Sequence, residues 1–248
     1  MTRYDAIGRS YSRTRRPDPR LAARVHVALG DARTVVNVGA GTGSYEPSDR
    51  AVVAVDPSAT MPAQRAPCVL GVAEHLPFPD SVFDAALAVL TVHHWSDREA
   101  GLHEMRRVAH RQVVFFFEPS FGPEFWLVSD YLPDLYDRLA TERDAPAGAD
   151  IARVLDVQSV APVPVPADCV DGFGACYWNR PEAYLDPDVQ AGMSSFAQLD
   201  ADTRNRVTEQ LRADLDSGAW DARHGHLRSL SEFDAGYRIL VGGTETDG

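Results

Sequence analysis

The sequence predicts an α/β protein built on a doubly wound, mostly parallel sheet. Three observations lead there. Short apolar runs recur at 34–38, 51–55, 68–72, 83–90 and 112–117. The runs are continuous rather than alternating, as strands covered on both faces are. Helical patterns separate some of them, and strand–helix–strand alternation builds parallel sheets.

The elements follow in order. Residues 1–20 are polar and Arg-rich and close on Pro17-Asp18-Pro19. A helix is expected over about 20–29, with Gly30 as its stop. The clearest helical pattern spans 97–109, where Ala100, Leu102, Met105 and Val108 fall near one face and Ser96 or Asp97 can cap the start. After Glu118-Pro119 the composition shifts to aromatics and prolines up to about residue 200. Residues 202–216 read as an amphipathic helix, and 233–241 as a terminal strand broken at Gly236. The expected organisation is a single domain over 1–248. It comprises an arm and first helix (1–30), a ligand-binding core (31–118), an insertion forming the substrate region (119–230), and a terminal strand and tail (231–248).

Composition narrows the chemistry. The formal net charge is -12, with 36 acidic and 24 basic residues, so a nucleic-acid substrate is not expected. All the basic residues are Arg, which removes a Schiff-base lysine, a P-loop lysine and a lysine general base. The three cysteines, Cys68, Cys169 and Cys176, have no zinc-ligand spacing, so no metal is expected and a reduced setting fits. The start has no apolar h-region, and no apolar run is long enough to span a bilayer. The expectation is a cytoplasmic protein, monomer or homodimer, acting on a small molecule with no membrane partner.

The sharpest signal is Val35-Val36-Asn37-Val38-Gly39-Ala40-Gly41-Thr42-Gly43-Ser44-Tyr45. Glycines directly after a strand let the backbone turn tightly and approach a ligand. In open α/β sheets ligands bind beyond the strand C-termini. The next run ends in Asp56, and an acid there can accept both hydroxyl hydrogens of a ribose. Dinucleotide enzymes want G-x-G-x-x-G, so that a helix N-terminus holds the pyrophosphate. Here the sixth position is Ser44. S-adenosylmethionine (SAM) carries no phosphate and tolerates a looser loop, so the pattern favours SAM over NAD(P).

These residues resemble class I SAM-dependent methyltransferases, nearest the methyltransferase type 11 group of small-molecule enzymes. Four blocks carry the resemblance: 35–45, 53–58 with Met61, 71–84 (GVAEHLPFPDSVFD), and Leu90-Thr91-Val92-His93-His94-Trp95. It covers about residues 1–118 and the last strand. It implies a seven-stranded Rossmann-like methyltransferase sheet, with the helical, aromatic insertion as a substrate lid. It also implies SAM as cofactor and S-adenosylhomocysteine as product. Gly39, Ala40, Gly41 and Gly43 are then expected to wrap the methionyl and ribose parts, and Asp56 to bind the ribose hydroxyls. Pro57 and Met61 are expected on the adenine, Ala73 and Glu74 at its edge, and the Leu90 backbone at the methionine. Tyr11 and Arg16 of the arm are expected to fold over the site. Two positions depart from the family pattern. Asn37 stands where an acid usually helps hold the SAM ammonium, and Val72 where an Asp often takes the adenine amine.

For the chemistry itself, a sulfonium methyl needs an aligned nucleophile and a dry site more than a charged clamp. A hydroxyl or acidic carbon nucleophile also profits from a base. His93 and His94, just past the fourth strand, are the candidates; the alternative is a turn histidine beside a packed one. Phe121, Trp126, Tyr177 and Trp178 could line an apolar substrate pocket or fill a core, and His226 could close over a substrate or lie solvated in a turn. The expected activity is methyl transfer to O, N or C of a small apolar or anionic molecule, with natural-product biosynthesis as the setting. The alternatives are a SAM-fold protein with non-methyl chemistry and an NAD(P)-dependent oxidoreductase.

Overall fold

The structure is a computed structural model, described here over residues 16–58, 68–132, 148–193, 196 and 199–243. Helix α1 (Pro19–Ala28) begins at Asp18, whose Oδ1 accepts from the Arg20 N–H at 3.0 Å, and ends before Gly30, at φ 61°. Strands β1 (Thr34–Val38), β2 (Ala51–Asp56), β3 (Cys68–Leu70), β4 (Phe83–Val89) and β5 (Ala109–Phe117) follow, with α2 (Arg98–Val108) between the last two. Asp97 caps α2 through the Ala100 N–H. These elements match the expected positions to within a few residues.

The sheet has seven strands in the order β3-β2-β1-β4-β5-β9-β6. The first five are parallel. The terminal strand β9 (Tyr237–Gly243) runs antiparallel between β5 and β6 (Val157–Pro162). Gly236, at φ 85°, separates β9 from the short strand β8 (Glu232–Phe233), as the break in the apolar run implied. At Gly236 a Cβ would lie 2.5 Å from that of Phe121, so this bend admits no side chain.

Both faces of the sheet are covered, which is why the strands read as unbroken apolar runs. On one face Leu21 and Val25 of α1, with Leu29 just past its end, pack with Val35, Ala85, Leu87, Val113 and Phe115. On the other, Leu102, Met105 and Val108 of α2 and Ile151, Val154 and Leu155 of α3 (Gly148–Leu155) cover Val36, Ala86, Ala88, Val114 and Phe116. Each such fully buried side chain contributes about 1.5–3 kcal/mol of transfer free energy.

The region after β5 is built into the fold itself. It supplies the edge strand β6 and, with α3, half of one face, held by Glu118 at the end of β5, whose Oε2 accepts from the Gly148 N–H. Its aromatics form a second core. Trp126 and Trp178 are almost fully buried, and their indole N–H groups donate to Trp178 O and Val165 O. Trp126 meets Tyr131, Tyr184 and Trp220 edge-on. Both tryptophans are therefore core pillars, not pocket lining: burying rings of this size yields more than exposing them to a ligand, and their polar ends are already answered. Helices α4 (Pro187–Ala191), α5 (Ala201–Ser217) and α6 (Ala219–His224) complete the region, and β7 (Val165–Pro166) pairs with β8.

Candidate active site

The glycine loop joins β1 to β2 in twelve residues, 39–50, all described and none helical. Parallel strands are usually joined through a helix, whose N-terminus can take up a phosphate. Here that helix is missing. α1 and Tyr45 fill the same face instead, and His26 of α1 hydrogen-bonds the Tyr45 carbonyl at 3.2 Å. With no helix N-terminus behind the glycines, a dinucleotide pyrophosphate has no cradle, and the dinucleotide reading loses its physical basis.

The loop is pinned on three sides. The N–H groups of Gly39 and Ala40 both donate to Val55 O, at 2.9 and 3.0 Å, and tie the loop to β2. The Gly41 N–H donates to Asp56 Oδ2 at 2.8 Å, while the Ser58 N–H donates to Oδ1 at 2.9 Å. Gly39 lies against Thr91, past the end of β4: a Cβ on it would stand 2.2 Å from Thr91 Oγ1. So this glycine is required first by packing within the protein. Gly39, Gly41, Gly43 and the non-glycine residues Tyr45 and Leu90 all have φ between 49° and 81°. Left-handed backbone at non-glycine residues costs of order 1–3 kcal/mol each and clusters at functional sites. Both non-glycine cases here flank the strand ends where the loop sits.

Asp56 is buried, 7% exposed, with a carboxylate that accepts two backbone N–H bonds and has about four acceptor positions in all. Two acceptor positions remain to suit a vicinal diol. Asn37, 1% exposed, donates from Nδ2 to Glu46 Oε1 at 2.7 Å, and its Oδ1 has no partner among the described residues. A carboxylate beside an unanswered amide oxygen, next to a loop of open backbone, fits a cofactor with an ammonium group. These residues fit SAM.

The remaining expected residues divide. Leu90 donates its N–H to Phe115 O at 2.7 Å and lies half-buried beside the loop. Ala73 is buried against Trp95, under Gly101 of α2. Glu74 braces the fold. Its Oε1 accepts from the Ser96 N–H and Oγ–H and from the Asp97 N–H at 2.7–3.0 Å, which holds the segment after β4 against the segment after β3. Those bonds hold its carboxyl below the usual range, against burial that works to raise it. Val72 is exposed, and Pro57 is exposed beside Asp56. Met61 and Tyr11 lie outside the described residues, and Arg16 is exposed at the start of the described arm.

His93 and His94 sit on a single helical turn (Val92–His94) past β4, with ring centroids 3.7 Å apart. Protein packed around His94 works to lower its pKa, while the solvent-open edge of its ring limits how far. At neutral pH it is an acceptor rather than a cation. His103 is exposed on α2 beside Glu99, and His110 is exposed as well. His226 is solvated on the turn 225–229, as a turn histidine would be. Tyr177 is half-buried against Tyr184 with Arg180 over its ring, and Phe121 is half-buried under Arg238, 4.0 Å from the ring centre.

Two polar residues at the loop carried no motif in the sequence: Glu46 and Asp171. Glu46 meets Asn37 only through the way the loop folds, and Thr91, within the fourth block, meets Gly39 for the same reason. Asp171, 1% exposed, accepts a hydrogen bond from the Tyr45 hydroxyl and so links the insertion to the loop. No group of three or more potential ligands suited to a metal ion occurs among the described residues. No described helix is long and apolar enough to cross a membrane.

Comparisons with known proteins agree with this geometry. A family model described as a methyltransferase domain matches residues 36–117. The chain is 32% identical over 171 residues to a demethylmenaquinone methyltransferase of Mycolicibacterium paratuberculosis, over 64% of this chain and 73% of that one. A structure described as a methyltransferase assigned to an antibiotic biosynthesis pathway of Anabaena variabilis superposes with a TM-score of 0.83. It is 31% identical, over 93% of this chain and 99% of that one. A geranyl diphosphate C-methyltransferase of Streptomyces coelicolor, solved with S-adenosylhomocysteine, shares the fold at 15% identity and a TM-score of 0.50, over 90% and 77% of the two chains. The loop without a helix to cradle a pyrophosphate, the acid at the end of β2, the matching family model and relatives more than 30% identical lead to one assignment: the chain belongs to the class I SAM-dependent methyltransferases.

Proposed function

We propose that this methyltransferase acts on a small, largely apolar molecule, at O, N or C, in natural-product biosynthesis. One observation carries the proposal. Half-buried Val89, Leu90 and Phe117, at and just past the ends of β4 and β5, pack against the core cluster that includes the insertion's aromatics and leave an apolar rim at the C-terminal ends of these strands. Such a rim suits an apolar acceptor. The methyltransferase relatives named for a quinone precursor and for an antibiotic pathway point the same way.

The cofactor supplies an electrophilic methyl on a sulfonium. Asp56 accepts the ribose hydroxyl hydrogens, and its bonds to Gly41 and Ser58 hold the carboxylate still for them. The backbone of Gly39–Gly43 and Leu90 shapes the methionyl end, and the packed rim excludes water. His93, exposed at the mouth, takes the proton from a hydroxyl or an acidic carbon as it attacks. The residues of 1–248 act as one domain, with the insertion over 119–230 as the acceptor side.

The test is to incubate the enzyme with SAM and a set of phenols, prenylated quinols and prenyl diphosphates, and to follow S-adenosylhomocysteine by mass spectrometry. Formation with an apolar phenol or quinol supports the proposal. Turnover confined to the diphosphates would move the acceptor to the anionic class. A SAM-dependent rearrangement without S-adenosylhomocysteine would replace methyl transfer altogether.

A further inference from the structure

We infer that Cys169 and Cys176 are a site of oxidative modification: a peroxide converts the pair into an intramolecular disulfide, and the bond locks the turn that carries Asp171. The two Sγ atoms lie 3.3 Å apart, and the residues are buried, at 2% and 0% exposure. The backbone holds them there. One guanidinium nitrogen of Arg180 donates to the carbonyl oxygens of both cysteines, at 3.0 and 2.8 Å. The Cys169 N–H donates to Pro166 O and the Cys176 N–H to Phe173 O, each at 3.0 Å. The Tyr184 hydroxyl donates to Gly174 O between them at 2.8 Å. A disulfide needs its sulfurs about 2 Å apart. The remaining gap is one that turning the two side chains closes, with the clamped backbone in place.

The step balances with hydrogen peroxide as oxidant. A thiolate of the pair attacks the O–O bond, becomes a sulfenic acid and releases hydroxide. The second thiolate attacks that sulfur; the S–S bond forms, the S–O bond breaks, and a second hydroxide leaves. The protons shed by the two thiols turn both hydroxides into water, so the thiols lose two electrons and the peroxide gains them. Hydrogen peroxide is close to water in size and enters on local opening of the turn. The sulfur already beside the sulfenic acid then reacts before a second peroxide arrives. Cys68 lies on β3, at the opposite edge of the sheet from the insertion's strand β6, and the other two cysteines face each other. The ring closed by the bond contains Asp171, which accepts from the Tyr45 hydroxyl and, through Oδ1, from the Gly172 N–H at 2.6 Å. Cross-linking restricts the unfolded chain and so stabilises the turn that grips the glycine loop.

The test is to treat the folded protein with hydrogen peroxide, alkylate it in denaturant without reductant, and map its tryptic peptides. Both cysteines fall on one such peptide, since no Arg lies between residues 153 and 180. It should be about 2 Da lighter and take no label, and should take a label on each cysteine once reduced. Cys68 should stay outside any intramolecular link. The oxidised protein should melt about 3–6 °C above the reduced one, and dithiothreitol should reverse the rise. Cys176→Ala treated alike should show no rise, and Cys176→Ser serves if that variant does not fold. Full labelling of both cysteines after peroxide, or oxygen adducts on them in place of the link, would overturn the site. A linked peptide with an unchanged or lower Tm, or an equal rise in the Cys176 variant, would overturn the lock.

Discussion

The Tyr45 hydroxyl donates a hydrogen bond to Asp171, and both side chains are almost fully buried. Tyr45 belongs to the glycine loop and Asp171 to the insertion, so a bond across 126 residues of chain fixes the insertion onto the loop. Tyr45 stands at φ 65°, and its ring meets Phe115 of β5 edge-on.

Removing that hydroxyl leaves Asp171 buried and short of a donor. Tyr45→Phe should destabilise the protein by about 1–3 kcal/mol. In a chain of this size that is a fall of several degrees in Tm. Thermal unfolding checks it. An unchanged Tm would mean that the loop and the insertion are held together elsewhere.

Gly39→Ala places a Cβ within 2.2 Å of Thr91 Oγ1 on a backbone already at φ 70°. We expect a loss of about 1–3 kcal/mol from overpacking, in addition to the backbone strain. Thr91→Ala removes the two nearest atoms, so the double variant should recover a substantial part of the loss. A double-mutant cycle by denaturant unfolding measures the coupling. Strict additivity would show that Thr91 is not what demands the glycine.

Asp56→Ala removes the acceptor for the backbone N–H groups of Gly41 and Ser58 and the proposed acceptor for the ribose. SAM affinity should fall tenfold or more, about 1.4 kcal/mol per decade, read by equilibrium dialysis. NAD should bind neither form. Wild-type affinity in the variant would put the ribose elsewhere.

His93→Ala should lower kcat more than it weakens SAM binding if His93 takes the acceptor's proton. Equal losses in both would make it part of the cofactor pocket instead.

Asp18 caps α1 and also accepts from the N–H of Val170 in the insertion. Hydrogen bonding to the Arg20 guanidinium lowers its pKa to about 2, against the usual 3.8. A carboxylate depressed in the folded state stabilises the fold fully above about pH 4, and that contribution drains away as the pH falls towards about 2. Asp18 is covered but Arg20 is about half exposed, so salt weakens the effect. Asp18→Asn keeps a capping side chain and cannot titrate. Its unfolding midpoint should therefore depend less on pH between 4 and 2 than that of the wild type. Parallel profiles would place the acid sensitivity elsewhere.

Strand positions, the two covered faces, α1, α2 and the break at Gly236 could all be read from the chain, because each depends on local spacing and on which residues water rejects. The ends of β1 and β2 were legible for the same reason: glycines and an acid just past an apolar run leave few alternatives. Other features depend on which distant segments meet. A six-residue run at 157–162 became the seventh strand because β9 has a free edge, not because its own pattern announced one; five of its six residues are exposed. Trp126 and Trp178 became core because the insertion folds on itself, and an aromatic-rich stretch looks the same whether it lines a pocket or fills one. Composition and period thus settled what is buried and where the chain turns. Only the tertiary fold decided which carboxylate serves which neighbour. Glu74 went to the start of α2 and Glu46 to Asn37, since a hydrogen bond is set by distances of a few ångströms that sequence separation does not encode.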